Sequence, residues 1–395
     1  MAEKLIAVVA DDLTGAADAG VQFVRAGYQA AVVFHGEAAP TADIDAVSFD
    51  TDSRNMPAGF AAKRVVDVAR AARGARVVYK KLDSTLRGNV AAELSAAFGA
   101  SGRERAIVAP AFPEAGRTTV RGTQLVRGVP VDETEMRDDP QTPVREAHVA
   151  TLLSDAFSSV GALGAEDAAD AERVRLTLEE NECVVADAEH DSDLEALVRA
   201  VPDPARVLWA GSAGLAYVIG SVYPGPRAGD AGERRSPVRP VLVVVGSLSG
   251  VAREQVRRLV EEYGDVSVEA TGEDAVAAAR VALSGGECAI VHSPEEQNAS
   301  GEAVVGTLAG VVRRLSQERL FGGLIMTGGA TAVGVSRRLG ATGIELQGEV
   351  EAGVPVGALI GPNPYPVVTK AGGFGGPDTL VRAVQALAQG GEENV

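Results

Sequence analysis

Asp11 and Asp12 stand side by side where an apolar run from Leu5 to Ala10 stops, with Thr14 and Gly15 just beyond and an amphipathic run reaching Arg25. A β-branched run followed at once by acids, a hydroxyl and a glycine reads as strand, loop and helix. In open α/β sheets ligands bind at that carboxyl end of the strands. Asp12 or Thr14 also suits a helix cap, but two adjacent acids exceed what a cap needs. A second stretch, Lys80-Lys81-Leu82-Asp83-Ser84-Thr85-Leu86-Arg87-Gly88-Asn89, gathers cations, an acid and hydroxyls. Its cations suit a carboxylate and its Asp and Ser suit hydroxyls, which together fit a polyhydroxy acid. A third stretch, Lys370-Ala371-Gly372-Gly373-Phe374-Gly375-Gly376, sets a lysine beside glycines. Glycine lets a backbone approach a phosphate chain closely while the ammonium balances its charge.

The elements that must hold these stretches alternate along the chain. Further strands are expected at Ala30 to Phe34, Ala46 to Phe49, Arg76 to Tyr79, Ala106 to Ala109, Cys183 to Ala186 and Val207 to Ala210. The strand at Ala46 ends in Asp50-Thr51-Asp52-Ser53-Arg54, another polar cluster at the end of an apolar run. Helices are expected over Ala58 to Arg73, Val90 to Phe98, Val149 to Ser158 and Glu166 to Glu180, and a hairpin around Gly128 within Thr119 to Val131. Gly211-Ser212-Ala213-Gly214 offers helix-start amides that could receive an anion, although a Gly/Ser turn needs no ligand. Tyr223 to Pro240, with four prolines and no apolar period, reads as a linker. Beyond it the rhythm restarts, with strands at Val241 to Val245, Val266 to Val268, Cys288 to Val291 and Gly323 to Met326, then Val354 to Ile360 and Pro366 to Thr369. The expected division is therefore residues 1–223, a linker at 224–240, and a second α/β domain at 241–395.

Composition narrows the function classes. A net charge of -17 argues against nucleic acid or an anionic membrane as partner. No run approaches membrane-spanning length and the opening apolar run is too short for a secretion signal, which points to the cytoplasm. Of 37 basic residues only five are lysines, and Lys80, Lys81 and Lys370 fall in two of the polar stretches. Cys183 and Cys288 lack metal-ligand spacing and read as buried thiols. His35, His148, His190 and His292 are isolated, so a zinc or metalloprotease reading falls away. No Gly-Lys pair exists for a P-loop, and no Gly-x-Gly-x-x-Gly follows the first strand of either half, which disfavours an NAD-dependent sugar-acid dehydrogenase.

Seven motifs in order resemble the four-carbon acid sugar kinase family: Ala10 to Ala16, Lys81 to Asn89, Asp139-Pro140 with Thr142-Pro143-Val144, Gly211 to Ala216, Gly246-Ser247, Thr327-Gly328-Gly329 with Thr331-Ala332, and Lys370 to Gly375. The resemblance spans nearly the whole chain. It implies two α/β domains, with parallel or mixed sheets, facing across a cleft, the first binding a sugar acid and the second ATP. It implies phosphorylation of the terminal hydroxyl of threonate, erythronate or a 3-oxo-tetronate, with ATP and Mg2+ as cofactors. Carried over by position, Asp11 or Asp12, Arg54, Lys81, Asp83, Ser84 and Arg87 would hold the acid, with Asp12 ahead of Asp11 as base or orienting group. Ser247, Gly328, Gly329, Thr331, Gly372 and Gly373 would touch ATP, with Lys370 assisting. Ala330 stands where the family often has an acid, so no metal ligand is assigned, and Asp378 is the candidate substitute. That departure also motivates a second reading, a catalytically silent sugar-acid sensor. Oligomeric state is open, a homo-oligomer included.

Overall fold

Short Val-, Ile- and Ala-rich runs, apolar on both faces, cannot remain at a surface; pairing in parallel beneath helices satisfies both their backbone and their side chains. The computed structural model describes residues 5–40, 43–228, 236–264, 266–271, 273–294 and 300–390. The chain divides into two compact units, Met1–Gly229 and Asp230–Val395.

In the first unit the strands are β1 (Ile6–Ala10), β2 (Ala30–Val33), β3 (Ala46–Asp50), β4 (Val77–Lys81), β5 (Arg105–Ala109), β6 (Arg117–Val120), β7 (Thr123–Val126), β8 (Val129–Pro130), β9 (Val160–Leu163), β10 (Cys183–Ala186) and β11 (Val207–Gly211). Eight of them form a parallel sheet in the order β2-β3-β1-β4-β11-β5-β10-β9. Helices α1 (Leu13–Arg25), α2 (Ala58–Ala71) and α3 (Val90–Ser101) follow β1, β3 and β4. Val65 and Ala69 of α2 and Leu94 and Ala97 of α3 share one core with Ala7, Val9, Val78 and Leu208. From β1 the chain moves outward to β2, returns through β3, then crosses to β4 on the far side of β1. That reversal is a topological switch point, and it opens a crevice at the carboxyl ends of β1 and β4.

The second unit repeats the device. Its strands are β12 (Val241–Val245), β13 (Ser267–Glu269), β14 (Cys288–His292), β15 (Gly323–Thr327), β16 (Gly343–Glu351), β17 (Val354–Ile360) and β18 (Pro366–Lys370), in the order β13-β14-β12-β15-β18-β17-β16. The pairs from β13 to β18 are parallel and the two involving β17 antiparallel. Here the order reverses between β12 and β15, beside the loops after Val245 and Thr327.

Several elements differ from the sequence expectation. Lys80 and Lys81 end β4 rather than open a loop, and Lys370 ends β18. The expected hairpin is a three-stranded meander, because both Arg121-Gly122 and Arg127-Gly128 reverse the chain through positive φ. The run from Glu166 breaks at Asp170, whose side chain caps a new helix, Ala171–Glu180. Helix Asp191–Ala200 and strand β16 were not expected; the first is rich in acids and the second alternates charge with apolar residues. Residues 229–235 of the expected linker lie outside the described residues, whereas Gly225 N donates to Ala26 O at 2.8 Å and Arg227 pairs with Asp45 at 2.6 Å. No helix among the described residues is long and apolar enough to cross a membrane.

Candidate active site

The loop after β1 and the loop after β3 meet through backbone first: Ser53 N and Arg54 N both donate to Asp11 O, at 2.9 and 3.2 Å. This register aims the Arg54 side chain back over the two acids. Its Nε and Nη2 donate to the two Asp11 oxygens at 2.7 and 2.8 Å, and its Nη1 and Nη2 to those of Asp12 at 2.6 and 3.0 Å. Asp83 Oδ2 lies 3.7 Å from the same guanidinium. A planar fork with five donors can serve two carboxylates in this way, which an ammonium cannot.

Asp12 also caps α1, accepting from Gly15 N and Thr14 Oγ1, each at 2.7 Å. Capping therefore accounts for Asp12 but leaves Asp11, whose side chain is 5% exposed against 23% for Asp12. Burial pushes the Asp11 carboxyl up, but the charge and hydrogen bonds of Arg54 outweigh it and hold the group below its ordinary range. Asp83 is likewise buried, yet Arg87, Arg54 and Lys81 keep it well below that range. Its oxygens accept from Thr85 N and Oγ1 at 2.9 and 2.8 Å and from Arg87 Nε at 2.8 Å. A small recess of about 10 Å³ opens among Asp11, Lys81, Asp83 and Arg87.

Two residues, Glu93 and Asp18, escaped sequence reasoning, and two that it named only as members of polar clusters, Lys80 and Asp50, take specific places. Lys80, 1% exposed, places Nζ 2.9 Å from Glu93 Oε2, and Ser53 Oγ donates to the other Glu93 oxygen at 2.8 Å. The buried pair thus ties the end of β4 and α3 to the loop that carries Arg54. Asp18, on α1, stands 3.9 Å from Lys81 Nζ; burial raises its carboxyl to about 6, with Lys81 opposing, and its Oδ1 has no hydrogen-bond partner among the described residues. Asp50, 2% exposed at the end of β3, is raised to about 7 by burial, against a hydrogen bond from Asp52 N, with Asp12 adding repulsion. The spacing of Asp18 from Gly15, one turn along α1, was a readable signal; the others depend on which strands neighbour β1.

In the second unit Ser247, Gly328, Thr331 and Gly372 converge. A Cβ on Gly372 would sit 2.0 Å from Ser247 Oγ, and one on Gly246 2.0 Å from Thr331 Oγ1. Gly328, with φ of +100°, is the N-cap of helix Gly329–Arg338 and has no side chain with which to cap the first amides of that helix. Gly328 N donates to Lys370 O at 2.9 Å, and Ser249 Oγ to Gly372 O at 2.7 Å, which closes the loop ends together. The space beside Gly373 is open. Lys370 is buried and drawn down to about 8 by that burial, opposed by Glu351.

Two expectations are corrected. The amides at Gly211 to Gly214 are not an anion site: Ser212 Oγ accepts from Gly214 N at 3.2 Å and donates to Ala111 O, and the glycines admit the Ala109 and Ala111 carbonyls. Asp378 does not replace the acid missing at Ala330, because Arg258 Nε holds it at 3.0 Å. Among the described residues no group of three or more His, Cys, Asp and Glu is arranged to hold a metal ion.

A family model described as a sugar-binding N-terminal domain matches residues 6–219, and one described as a nucleotide-binding C-terminal domain matches residues 242–380. The chain is 38% identical to a D-threonate kinase of Bordetella bronchiseptica, across 98% of this chain and 99% of that protein. It is 33% identical to a 3-oxo-tetronate kinase of Methylobacterium radiotolerans (96% and 98% covered) and 30% identical to a D-erythronate kinase of Heliobacterium modesticaldum (97% of each). Among solved structures, a Salmonella typhimurium protein shares the fold at TM-score 0.80 and 23% identity, covering 96% of this chain and 98% of that one. A Bordetella bronchiseptica protein, solved as a domain-swapped dimer with bound citrate, aligns at 36% identity and TM-score 0.52, covering 97% and 98%.

Two outcomes follow from the buried charges. Lys80→Met strands Glu93 as an unpaired buried acid and should lower stability by about 3–5 kcal/mol, whereas Lys80→Met with Glu93→Leu should recover most of it in the same denaturant titration. The folded Asp50 pKa of about 7 lies above the ordinary 3.8, so between these values the folded protein keeps a proton that the unfolded chain has lost. Stability therefore falls as pH rises through that window. Asp50→Asn, a mimic of the protonated form, should raise Tm by a few degrees at about pH 8 and have little effect near about pH 4; an equal effect at both would show that Asp50 is charged throughout.

Proposed function

The chain belongs to the four-carbon acid sugar kinase family, and from that premise we propose that it moves the γ-phosphoryl group of ATP to the terminal hydroxyl of D-threonate. A kinase acting on a four-carbon sugar acid is the activity its relatives carry by name, which does not favour a silent sensor or a dehydrogenase. D-threonate is preferred among the acids because relatives at 38%, 35% and 32% identity are D-threonate kinases.

The observation that carries the reading is that each unit has its own crevice at a topological switch point and that the two are chemically unlike. One is lined by acids locked by Arg54 and by hydroxyl-gripping groups; the other is built from glycines, a capless helix start and a buried lysine. Phosphoryl transfer asks the protein mainly for positioning and for stabilisation of spread negative charge. Asp12, the more exposed acid, orients the terminal hydroxyl and takes its proton as the oxygen attacks phosphorus and ADP leaves. Asp11 and Arg54 hold Asp12 in place, and Lys81, Asp83, Ser84 and Arg87 bind the rest of the acid. The amides of Gly329 and Gly373, with Gly328 turning the chain at positive φ and Gly372 admitting Ser247, cradle the polyphosphate while Thr331 and Lys370 border it. Mg2+ would enter with ATP and neutralise part of the polyphosphate charge, since among the described residues no group of acids is arranged as a resident site for it. A homodimer is proposed as the assembly, in keeping with the domain-swapped Bordetella structures.

ADP release measured across D-threonate, L-threonate, D-erythronate and their 3-oxo forms should be acid-dependent, with D-threonate giving the largest kcat/KM. Asp12→Asn should lower kcat by roughly 10²- to 10⁴-fold with a small change in KM. Acid-independent ADP release, or a near-normal Asp12→Asn rate, contradicts the assignment.

A further inference from the structure

Every cation so far assigned to the recess already has an acid. Arg54 is shared by Asp11 and Asp12, Lys80 faces Glu93, Lys81 faces Asp18 at 3.9 Å, and Arg87 pairs with Asp83 at 2.7 Å. A sugar acid brings one more negative charge, and a carboxylate leaving water needs a cation that is not already neutralised. The β6–β8 meander supplies one.

The meander is fastened to the substrate loop by a buried amide. Gln124 Nε2 donates to Ser84 O at 2.7 Å, and Thr119 Oγ1 donates to Gln124 Oε1 at 2.7 Å from the directly opposed position. Arg117 lies two residues before Thr119 on β6, so it shares the face of the ribbon that is turned toward Ser84. Backbone bonds hold it there: Arg117 N donates to Phe112 O at 3.0 Å, and Phe112 N to Arg117 O at 2.8 Å. Among the described residues the Arg117 guanidinium has no acid within ion-pair distance; Nη1 donates to Ala115 O, and the buried Nε has no partner. The groups acting on it are Arg127, Asp83, Glu135 and Arg87, so it stands in the neighbourhood of the Asp83–Arg87 pair.

We propose that Arg117 is the carboxylate receptor of the substrate site, a specificity-determining residue that binds the C1 carboxylate of the four-carbon acid beside Arg87. The proposal rests on the kinase reading for the identity of the ligand. A carboxylate there would take the orphaned Nε and a neighbouring Nη in the side-on bidentate geometry. It would also relieve the mutual repulsion of Arg117 with Arg87 and Arg127. Carboxylate recognition at the meander leaves the hydroxyl end of a short acid to reach toward Asp12.

The test uses the full chain with D-threonate and with threitol, the polyol that keeps the hydroxyls and lacks the charge. Calorimetry without nucleotide should show Arg117→Gln weakening D-threonate binding roughly 10- to 100-fold. Arg117→Lys should lose less, threitol binding should not change, and KM for ATP should stay within about twofold of the original. Unchanged D-threonate affinity in Arg117→Gln, or equal losses for D-threonate and threitol, overturns the proposal. If Arg117→Gln fails to fold, Arg117→Lys decides: a selective loss for the acid supports the receptor and none refutes it. Tight D-threonate binding that depends on Arg117 without any ADP release would sink the kinase reading and leave the receptor standing.

Discussion

One guanidinium holds the first unit's crevice together. Two aspartates adjacent in sequence at the end of a central strand, with a third acid from the next strand, would repel one another and draw in water. Arg54 converts them into a single buried ionic cluster with four short hydrogen bonds to Asp11 and Asp12 and a third charge contact to Asp83. Because its backbone amide is also tied to Asp11 O, the side chain has little freedom to leave. Removing one partner from such a cluster costs about 3–5 kcal/mol, since the remaining charges stay buried. What the cluster secures is geometry: the acid nearest solvent points in a fixed direction before a substrate arrives, which is the condition for electrostatic catalysis without reorganisation.

The two units apply one topological rule to opposite chemistry. Each reverses its strand order beside its first strand, and each places its functional loops there. In the first unit the crevice must distinguish hydroxyls and a carboxylate, so it is crowded with paired charges. In the second it must admit a long polyanion, so side chains are withdrawn: Gly246 and Gly372 are positions where even a methyl group would meet Thr331 or Ser247. Buried Lys370 sits at the end of β18 and not on a mobile loop, which keeps its ammonium at one place at some cost in solvation.

The linear sequence carried the parts of the site that are local. Asp11-Asp12, the Lys81-to-Asn89 stretch and the glycines after Lys370 were legible because each is a polar interruption at the end of an apolar run. The parts that depend on strand order were not. Glu93 looks like an ordinary helix acid until β4 lies beside β1 and puts Lys80 under it. Asp50 gives no sign in sequence of a carboxyl lifted to about 7, because its burial comes from Ala10 and the β1 loop. Asp378 shows the converse: its position beside the glycine loop suggested a ligand, but Arg258 from a different helix claims it. Strand β16 was hidden by alternating glutamates that a strand with one open face tolerates.

Arg54 and Asp12 act as one device, and a double-mutant cycle on kcat with D-threonate and MgATP tests that most directly. Arg54→Gln, Asp12→Asn and the double variant should be strongly non-additive, the double variant turning over no more than a fewfold below the worse single one. Additive losses, with the double variant slower by the product of the two single effects, would show that Arg54 and Asp12 contribute separately and would contradict the claim.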